Sequence, residues 1–403
     1  MIKIKDPKMF WLILYVAINI IATIIMYSTG ELIGDTKGNQ VFDNSMLLLA
    51  MVSVISSYVV ICYFLFKLFK KVRVTKIQVY NEIGTHNKLG LIILVSQISF
   101  LFFNYINGVN IAGSNNIRTD SIFAIFWALF PVDALFLIYY AVARDSKYFK
   151  INLAAYLISS IARGWAGAFL IVIFMEFCRL YRSKSIRFRY VLFATALLLL
   201  FYPVLNSIKF YVRLGMPEGG IAQFLDESYL SSIYHGVLHL IERIQITSVL
   251  VEVIRIKDTL GDAFSSGAFS PFWHEGLHGI IYDRLFDIPK KYPLSVAFTE
   301  YGSFNWEFEV GNWNTNTSLA SWFFIAPSLS VFYVFYIFLV CFISYFIMMK
   351  ISSKDSAKDL LWLSWLFYVI PPWFGTFIQF IYALIVFLFL KILISNIYKK
   401  RAV

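Results

Sequence analysis

The side chains best suited to acid–base chemistry lie in one polar stretch, residues 211–318. That stretch holds four of the five histidines in the chain: His235, His239, His274 and His278. Residues 274–278 read HEGLH and match the H-E-x-x-H pattern, in which a helix presents two zinc ligands and a base. A third ligand is not evident, and the internal glycine weakens a helix by roughly 1 kcal/mol relative to alanine. We therefore interpret His278, His274 or Glu275 as a general base and expect neither a metal nor another cofactor; histidine's ordinary pKa of about 6.5 suits that role.

Arginines form a second group, because the planar guanidinium binds phosphate oxygens with two parallel hydrogen bonds. The candidates are Arg118, Arg163, Arg213, Arg243 and Arg255. Arg163 interrupts an apolar run, which is costly in a membrane and favours a functional role, although a helix-end arginine also reaches the headgroups. The arginines of the polar stretch could instead pair with neighbouring carboxylates such as Glu252. Asp133 lies inside an apolar run, either as a substrate or proton-relay group or as the buried partner of an arginine.

The composition restricts the fold class. Of the 403 residues, 59% are hydrophobic, and the mean hydropathy is +0.70. Many apolar runs reach about 20 residues, the length of a helix that crosses a bilayer. Lipid offers the backbone no hydrogen-bond partners, so such runs must be helical. We predict an all-α, polytopic integral membrane protein.

The distribution of charge predicts the orientation. The chain carries a net charge of +11, yet residues 211–318 hold seven basic and 13 acidic residues and are net −6, which leaves +17 for the rest. The basic residues outside this stretch flank apolar runs, as in cytoplasmic loops. A folded basic face for nucleic acid is not visible. The three cysteines lie in apolar runs, so no disulfide framework is expected in the polar stretch.

Alternating the turns between the two sides predicts ten spans with both termini cytoplasmic. The predicted spans cover about residues 10–28, 46–66, 89–106, 121–143, 151–162, 165–180, 190–210, 319–349, 360–370 and 376–394. The domain organisation is then seven spans in 1–210, a large partly helical outside loop at 211–318, and three spans in 319–403. Pro131 predicts a kink in the fourth span. Trp362, Trp365 and Trp373 fit an interfacial aromatic belt.

Two helices are predicted within the loop. Tyr234–Asp258 reads as one long amphipathic helix, in which Gln245, Ser248 and Glu252 share a polar stripe. Ser270–Phe286 reads as a second helix, opened by serine and then proline, and this helix would place His274 and His278 one turn apart.

This layout resembles the Wzy-type O-antigen polymerases, and the lipid-linked O-antigen ligases share a related layout. The local motifs are the hairpin arginine in IARGWAG (Ile161–Gly167), the arginine in YVRLG (211–215), and a Leu-Phe-x-x-Pro-basic patch (Leu285–Lys291). Family members often carry arginine after that proline, where this chain has two lysines. The topological resemblance covers the whole chain.

The resemblance implies a GT-C-like membrane glycosyltransferase of the bacterial inner membrane, with its active site on the periplasmic side. Both substrates would be oligosaccharides on undecaprenyl diphosphate, held by their lipid tails. The arginines would bind the diphosphate leaving group, a base would deprotonate the acceptor hydroxyl, and a chain-length regulator protein would be a further partner. No nucleotide sugar and no nucleic acid would take part.

Three other functions compete with the polymerase. An O-antigen ligase, which transfers finished glycan to the lipid A core, would use the same arginines. A flippase or other transporter predicts more spans and shorter loops than this chain shows. A membrane zinc protease would use the HEGLH motif.

Overall fold

The computed structural model describes residues 6–111, 122–165, 167–183, 238, 241–242, 244–289, 291–302 and 315–402. Within this part of the chain, residues 238, 241–242 and 244 are helical, and the α-helices with defined bounds follow one another. They are α1 Pro7–Thr29, α2 Asn44–Phe69, α3 Glu82–Asn107, α4 Ile122–Leu129, α5 Val132–Val142, α6 Phe149–Ala162, α7 Gly167–Arg182, α8 Thr247–Arg255, α9 Lys257–Ser265, α10 Leu277–Leu285, α11 Leu294–Tyr301, α12 Ser321–Ile325, α13 Ser330–Ile351, α14 Asp355–Ser364 and α15 Phe374–Ala402.

Six helical segments are long and apolar enough to cross a membrane. They are Pro7–Thr29, Asn44–Phe69, Glu82–Asn107, Phe123–Val142, Pro327–Ile351 and Phe374–Lys400. The prediction of a helical, multi-pass membrane protein is therefore confirmed. The hairpin predicted as the fifth and sixth spans is formed by α6 and α7, which have 14 and 16 residues. The predicted seventh span, at 190–210, falls outside the described residues.

The chain divides into two compact units, each made of segments distant in sequence. The first unit combines Met1–Arg73, Leu238–Tyr345 and Trp362–Gln379, and the second combines Val74–Val237, Phe346–Leu361 and Phe380–Val403. Part of the predicted loop therefore belongs to the same compact unit as the first two spans.

In the first unit, α8 is a short helix enclosed by membrane-type helices. It packs on α2, α1 and α12, and every residue from Gln245 to Ile254 is buried. The prediction of one amphipathic helix over Tyr234–Asp258 is wrong here, because the helix is interrupted at Gln245–Ile246. Gln245, Ser248 and Glu252 are buried rather than solvated. Neighbouring helices enclose the side chains that the sequence places on a polar stripe. These side chains form hydrogen bonds with one another and with the backbone instead of with water.

Asn19, in the middle of α1, anchors the start of α8. Its Oδ1 accepts hydrogen bonds from the Ile246 backbone N–H and the Thr247 hydroxyl, each at 3.0 Å. Its Nδ2 donates to the Tyr15 carbonyl at 2.9 Å. The first N–H groups of any helix lack an intrahelical acceptor, and an apolar surrounding makes such a lack costly. A polar residue inside an apolar helix is thus explained by the helix start that it stabilises.

Two stretches of π-helix face each other in the same unit, Val59–Leu65 in α2 and Trp365–Val369 after α14. The Trp362 indole N–H donates to the Cys62 carbonyl at 2.8 Å, and the Trp365 indole N–H donates to the Ser344 hydroxyl at 3.1 Å. Both tryptophans are fully buried, with exposed fractions of 1% and 0%. The expectation that they belong to an interfacial belt is therefore wrong; they fill the helix–helix contact.

The second unit joins its helices through buried amides. The Asn152 side chain on α6 donates to the Gly90 carbonyl on α3 at 2.9 Å and accepts from Gln97 at 2.8 Å. Small residues and amide side chains at helix interfaces allow close packing where lipid provides no hydrophobic driving force. The predicted kink at Pro131 is confirmed as a break between α4 and α5.

Replacing Asn19 tests the anchoring of α8. Asn19→Leu removes the acceptor for a buried N–H and a buried hydroxyl, which should lower the free energy of unfolding by about 1–3 kcal/mol. Thermal denaturation of the purified protein in detergent measures the change. Asn107→Ala is the matched control, since Asn107 makes the same bond to a carbonyl four residues back but no tertiary bond (Nδ2 to Phe103, 2.8 Å). An Asn19→Leu melting temperature equal to that of the control would contradict the anchoring role.

Candidate functional site

The HEGLH segment is not a continuous helix. The N–H of His274 bonds to the Pro271 carbonyl in a turn, and α10 begins only at Leu277 because Gly276 has φ +109°. L-residues rarely adopt that backbone conformation, so glycine is required there. The prediction of a helix over Ser270–Phe286 is correct only for its second half. The two histidines therefore do not share a helical face, which the zinc motif needs.

His274 forms a close pair with Asp283, nine residues further on. The distance between His274 Nε2 and Asp283 Oδ1 is 2.7 Å. In an unbroken helix of about 100° per residue the two side chains would lie on opposite faces. The break at Gly276 allows α10 to bring Asp283 back to His274. Nδ1 of His274 has no hydrogen-bond partner within the described residues, so it is available to accept a proton.

Glu275 is buried beside the pair, with an exposed fraction of 8%. Burial raises the pKa of its carboxyl to about 8, and the backbone N–H groups of Gly375 and Leu294 oppose that rise. Leu294 and Gly375 lie in the first turns of α11 and α15. The positive ends of two helix dipoles thus converge on this carboxyl. A carboxyl with such a pKa is largely protonated at neutral pH.

A recess of about 160 Å³ opens at this point of the first unit. It is large enough for a small polar group but not for an oligosaccharide. Its polar lining residues are Ser270, His274, Glu275, Asp283, Lys291, Ser295, Trp373 and Thr376. The N–H of Ser270 bonds to the Tyr292 carbonyl at 2.8 Å, which joins the two chain segments that contribute Ser270 and Lys291 to the lining.

An aromatic cluster fixes the floor of this region. Phe272 is fully buried and packs on Trp322, Tyr333 and Phe374 with ring centroids 5.1, 4.6 and 6.4 Å away. Phe272 comes two residues before His274, so the cluster holds the catalytic candidates against the start of the last membrane-type helix.

The third member of the predicted base group, His278, lies apart from the recess lining. Its Nε2 is 2.7 Å from the Trp273 carbonyl and its side chain is exposed. In the described part of the chain, no group of three or more His, Cys, Asp or Glu side chains is arranged to hold a metal ion. Of the three predicted residues, the structure brings His274 and Glu275 together at the recess.

The predicted arginine group is only partly described. Arg118, Arg213 and Arg243, like His235 and His239, lie outside the described residues. Arg255 pairs with Glu252 one turn earlier, with Nε 2.8 Å from Oε2, and its guanidinium lies 5.5 Å from the centroid of the Phe42 ring. This is the carboxylate pairing that the sequence offered as the alternative to phosphate binding.

Arg163 and Asp133 form a bidentate pair in the second unit. Nη1 and Nη2 of Arg163 are each 2.8 Å from one carboxylate oxygen of Asp133, and Nε donates to the Ser159 carbonyl at 3.2 Å. Arg163 caps the C-terminus of α6, where a cation suits the helix dipole. Asp133 lies in the first turn of α5, just after the break. Of the two interpretations of Asp133, the structure therefore agrees with the one in which this residue is the partner of an arginine.

Sequence reasoning missed Asp283, Lys291 and Trp373 as site residues. Asp283 follows the HEGLH motif but lies on the wrong face of the predicted helix. Lys291 had a signal, since it belongs to the basic patch of the family resemblance. Trp373 was assigned to an interfacial belt, yet its indole N–H is buried and lacks an acceptor in the described chain.

No family model matches the chain, and neither a curated protein nor a solved structure shows significant similarity to it.

Removing either residue of the Arg163–Asp133 pair should lower the free energy of unfolding, but by different amounts. The Arg163 side chain is 2% exposed and that of Asp133 is 31% exposed. Asp133→Ala leaves a buried guanidinium without its partner and should lower the free energy of unfolding by about 3–5 kcal/mol. Arg163→Ala leaves a carboxylate that reaches solvent and should cost less.

Chemical denaturation of both single variants and of the double variant in detergent measures these effects. The double variant should be more stable than Asp133→Ala alone, because it removes the unpaired charge. Equal losses in the two single variants, followed by simple addition in the double variant, would mean that the pair is not coupled.

Proposed function

We propose that this protein is a glycosyltransferase that polymerises oligosaccharide repeat units linked to undecaprenyl diphosphate, as the O-antigen polymerases do. The observation that carries the proposal is the His274–Asp283 pair, both members of which line a recess beside the start of the last membrane-type helix. A base at the end of a membrane span is where a lipid-linked acceptor would present its sugar hydroxyl.

The proposed reaction needs one proton transfer and one displacement. Asp283 holds the His274 ring with Nε2–H toward the carboxylate and stabilises the imidazolium that forms. Nδ1 takes the proton from the acceptor hydroxyl as its oxygen attacks C1 of the donor sugar. The bond between C1 and the diphosphate oxygen breaks, and the lipid diphosphate leaves with the electron pair. His274 is preferred over His278, because His274 lines the recess and has a carboxylate at Nε2, whereas His278 lies outside the lining and has only a backbone carbonyl there.

The proposal extends to the arrangement in the membrane. We infer about ten spans in a GT-C-like layout, the bacterial inner membrane as the location, both termini in the cytoplasm and the recess on the periplasmic side. The basic turns beside the membrane-type helices support this orientation. The donor and acceptor, both on undecaprenyl diphosphate, are the proposed substrates. A chain-length regulator is a proposed partner.

Arg213 and Arg243 are proposed as ligands of the donor diphosphate. Arg163 would serve the same role only by exchanging Asp133 for phosphate, since its guanidinium is fully engaged by that carboxylate. Arg163 is therefore assigned chiefly to positioning α6 against α5.

Removing the base tests the reaction. In a deletion strain, a plasmid with His274→Gln should lower polymerisation by about 10²–10⁴-fold, the usual contribution of a general base. Asp283→Asn should reduce it less, because the imidazole remains but loses its orienting charge. The length distribution of surface polysaccharide on a gel is the measurement, with expression of each variant checked in isolated membranes. His278→Gln distinguishes the two histidines; a larger loss there than in His274→Gln would reject His274 as the base.

The deletion strain itself separates polymerase from ligase. Loss of a polymerase leaves single repeat units attached to the lipid A core, whereas loss of a ligase leaves the core bare. A bare core in the deletion strain would therefore contradict the proposed function.

A further inference from the structure

Helix α10 carries its large apolar side chains on the outside and a glycine on the inside. Leu285 and Phe286, at its end, have exposed fractions of 74% and 63%, and Ile281, one turn before Leu285, has 45%. Gly279 is buried, and a Cβ added to it would lie 1.8 Å from the His274 carbonyl oxygen. Only glycine therefore fits the inner side of this helix. Its outer side offers apolar surface that no described residue covers.

Helix α9 shows that this arrangement is not general in the polar stretch 211–318. Both helices have nine residues and belong to the first unit. In α9 the apolar side chains of Leu260 and Ala263 are buried, whereas the polar residues Thr259 and Asp262 are exposed. That is the pattern of a helix that packs on a core and faces water. The reversed pattern of α10 therefore indicates an apolar medium or partner on its outer side.

The exposed apolar surface extends past the end of α10. Ile280 and Tyr282 within the helix are exposed, as are Ile288 and Tyr292 after it. The rings of Tyr282 and Phe286 pack together with centroids 4.6 Å apart. Isolated apolar side chains on a protein surface are ordinary, but a cluster of them marks a site of contact with a membrane or with another protein. The choice between these two partners depends on what lies beside α10.

Two membrane-type helices begin directly beside the segment that leads into α10. Trp273 packs on Phe332 in the first turn of α13, with ring centroids 5.2 Å apart. A Cβ added to Gly276 would lie 3.0 Å from the Cβ of Ile378, in the second turn of α15. Phe332 and its neighbour Val331 are themselves exposed, as lipid-facing residues of a span are. Apolar surface at this level already meets the bilayer, which favours lipid over a protein as the partner of α10.

The length and the charges of α10 suit the surface of a bilayer rather than its interior. Nine helical residues extend only about 13 Å, which is far less than the ~30 Å of hydrocarbon. Arg284 and Asp287 are exposed beside the apolar side chains, and both signs of charge occur in phospholipid headgroups. A long arginine side chain can extend towards the headgroups while its apolar neighbours insert. Tyr282 and Tyr292 are of a residue type that favours this depth.

We propose that α10 and the following residues to Ile288 form an interfacial segment, whose outer face inserts into the bilayer surface where α13 and α15 begin. The partner is phospholipid: acyl chains cover the apolar side chains, and headgroups surround Arg284 and Asp287. An interfacial helix of this kind lies about 5–10 Å deep. Because Ile280 and Asp283 of α10 also line the recess, the recess then opens at the level of the headgroups. Insertion of α10 is independent of whether the protein is a glycosyltransferase.

Fluorescent labels on single introduced cysteines test the insertion, in the full-length protein in nanodiscs of phosphatidylethanolamine and phosphatidylglycerol. The three native cysteines are buried, so a thiol-reactive nitrobenzoxadiazole label attaches to the introduced one. Protein without an added cysteine gives the background. The label is placed at Leu285→Cys or Ile281→Cys, with Thr259→Cys in α9 as the matched control. Two quenchers report the surroundings: a doxyl group near the top of the lipid acyl chains, and iodide in the water.

The labels on α10 should be quenched by the doxyl lipid. Their quenching by iodide should be at least about fivefold weaker than that of the Thr259→Cys label, because a depth of ~5–10 Å excludes the aqueous ion. The Thr259→Cys label should show the opposite preference, since it lies on an exposed polar face. Elution of each labelled variant as a single peak in gel filtration checks that the protein is folded.

Two results would overturn the proposal. Iodide quenching at both α10 positions equal to that at Thr259→Cys would mean that the outer face of α10 lies in water. Protection from both quenchers would mean that protein covers this face, either another part of the chain or a second copy.

Discussion

Hydrogen bonds between polar side chains of the apolar helices and backbone or side-chain groups of other elements connect the segments of this structure, because lipid offers no competing partners. Asn19 finds the exposed start of α8. Arg163 donates to Asp133 and to the Ser159 carbonyl in the last turn of its own helix. Trp362 finds the Cys62 carbonyl, in a π-helical stretch where the ordinary helical pattern is interrupted. In each case the bond is made where a helix begins, ends or changes its hydrogen-bond pattern, because those are the places where backbone groups are left over.

Helix starts also meet at the recess beside Glu275. Two helices begin beside one buried carboxyl, and an indole N–H and a tyrosine hydroxyl remain unpaired near it. These two groups are among several buried polar atoms of the described chain that have no hydrogen-bond partner.

The glycine in HEGLH shows how one backbone position changes the meaning of a motif. Read as a helix, the segment suggests two metal ligands one turn apart. The positive φ of Gly276 prevents a continuous helix over the motif, so α10 begins only at Leu277. This break brings His274 next to Asp283 and places Glu275 beside the first turns of α11 and α15. The glycine that counted as a weakness in a zinc motif is the residue that builds the acid–base pair.

The sequence by itself determined the class of the protein. Apolar runs and flanking lysines and arginines predict membrane helices, because length and hydropathy alone decide whether a helix suits a bilayer. The sequence also drew attention to His274, Glu275 and Arg163 as candidates, since polar side chains are rare in such a chain. Tertiary structure decided their partners. Whether Arg163 faces phosphate or Asp133, and whether residues 245–254 are solvated or enclosed, depends on contacts between segments far apart in the chain. The periodic spacing of apolar residues along the chain does not determine such contacts. The described part of the loop, which the sequence suggested was self-contained, therefore belongs to the same compact unit as membrane-type helices. The candidate site forms where Glu275 of this loop contacts the start of α15.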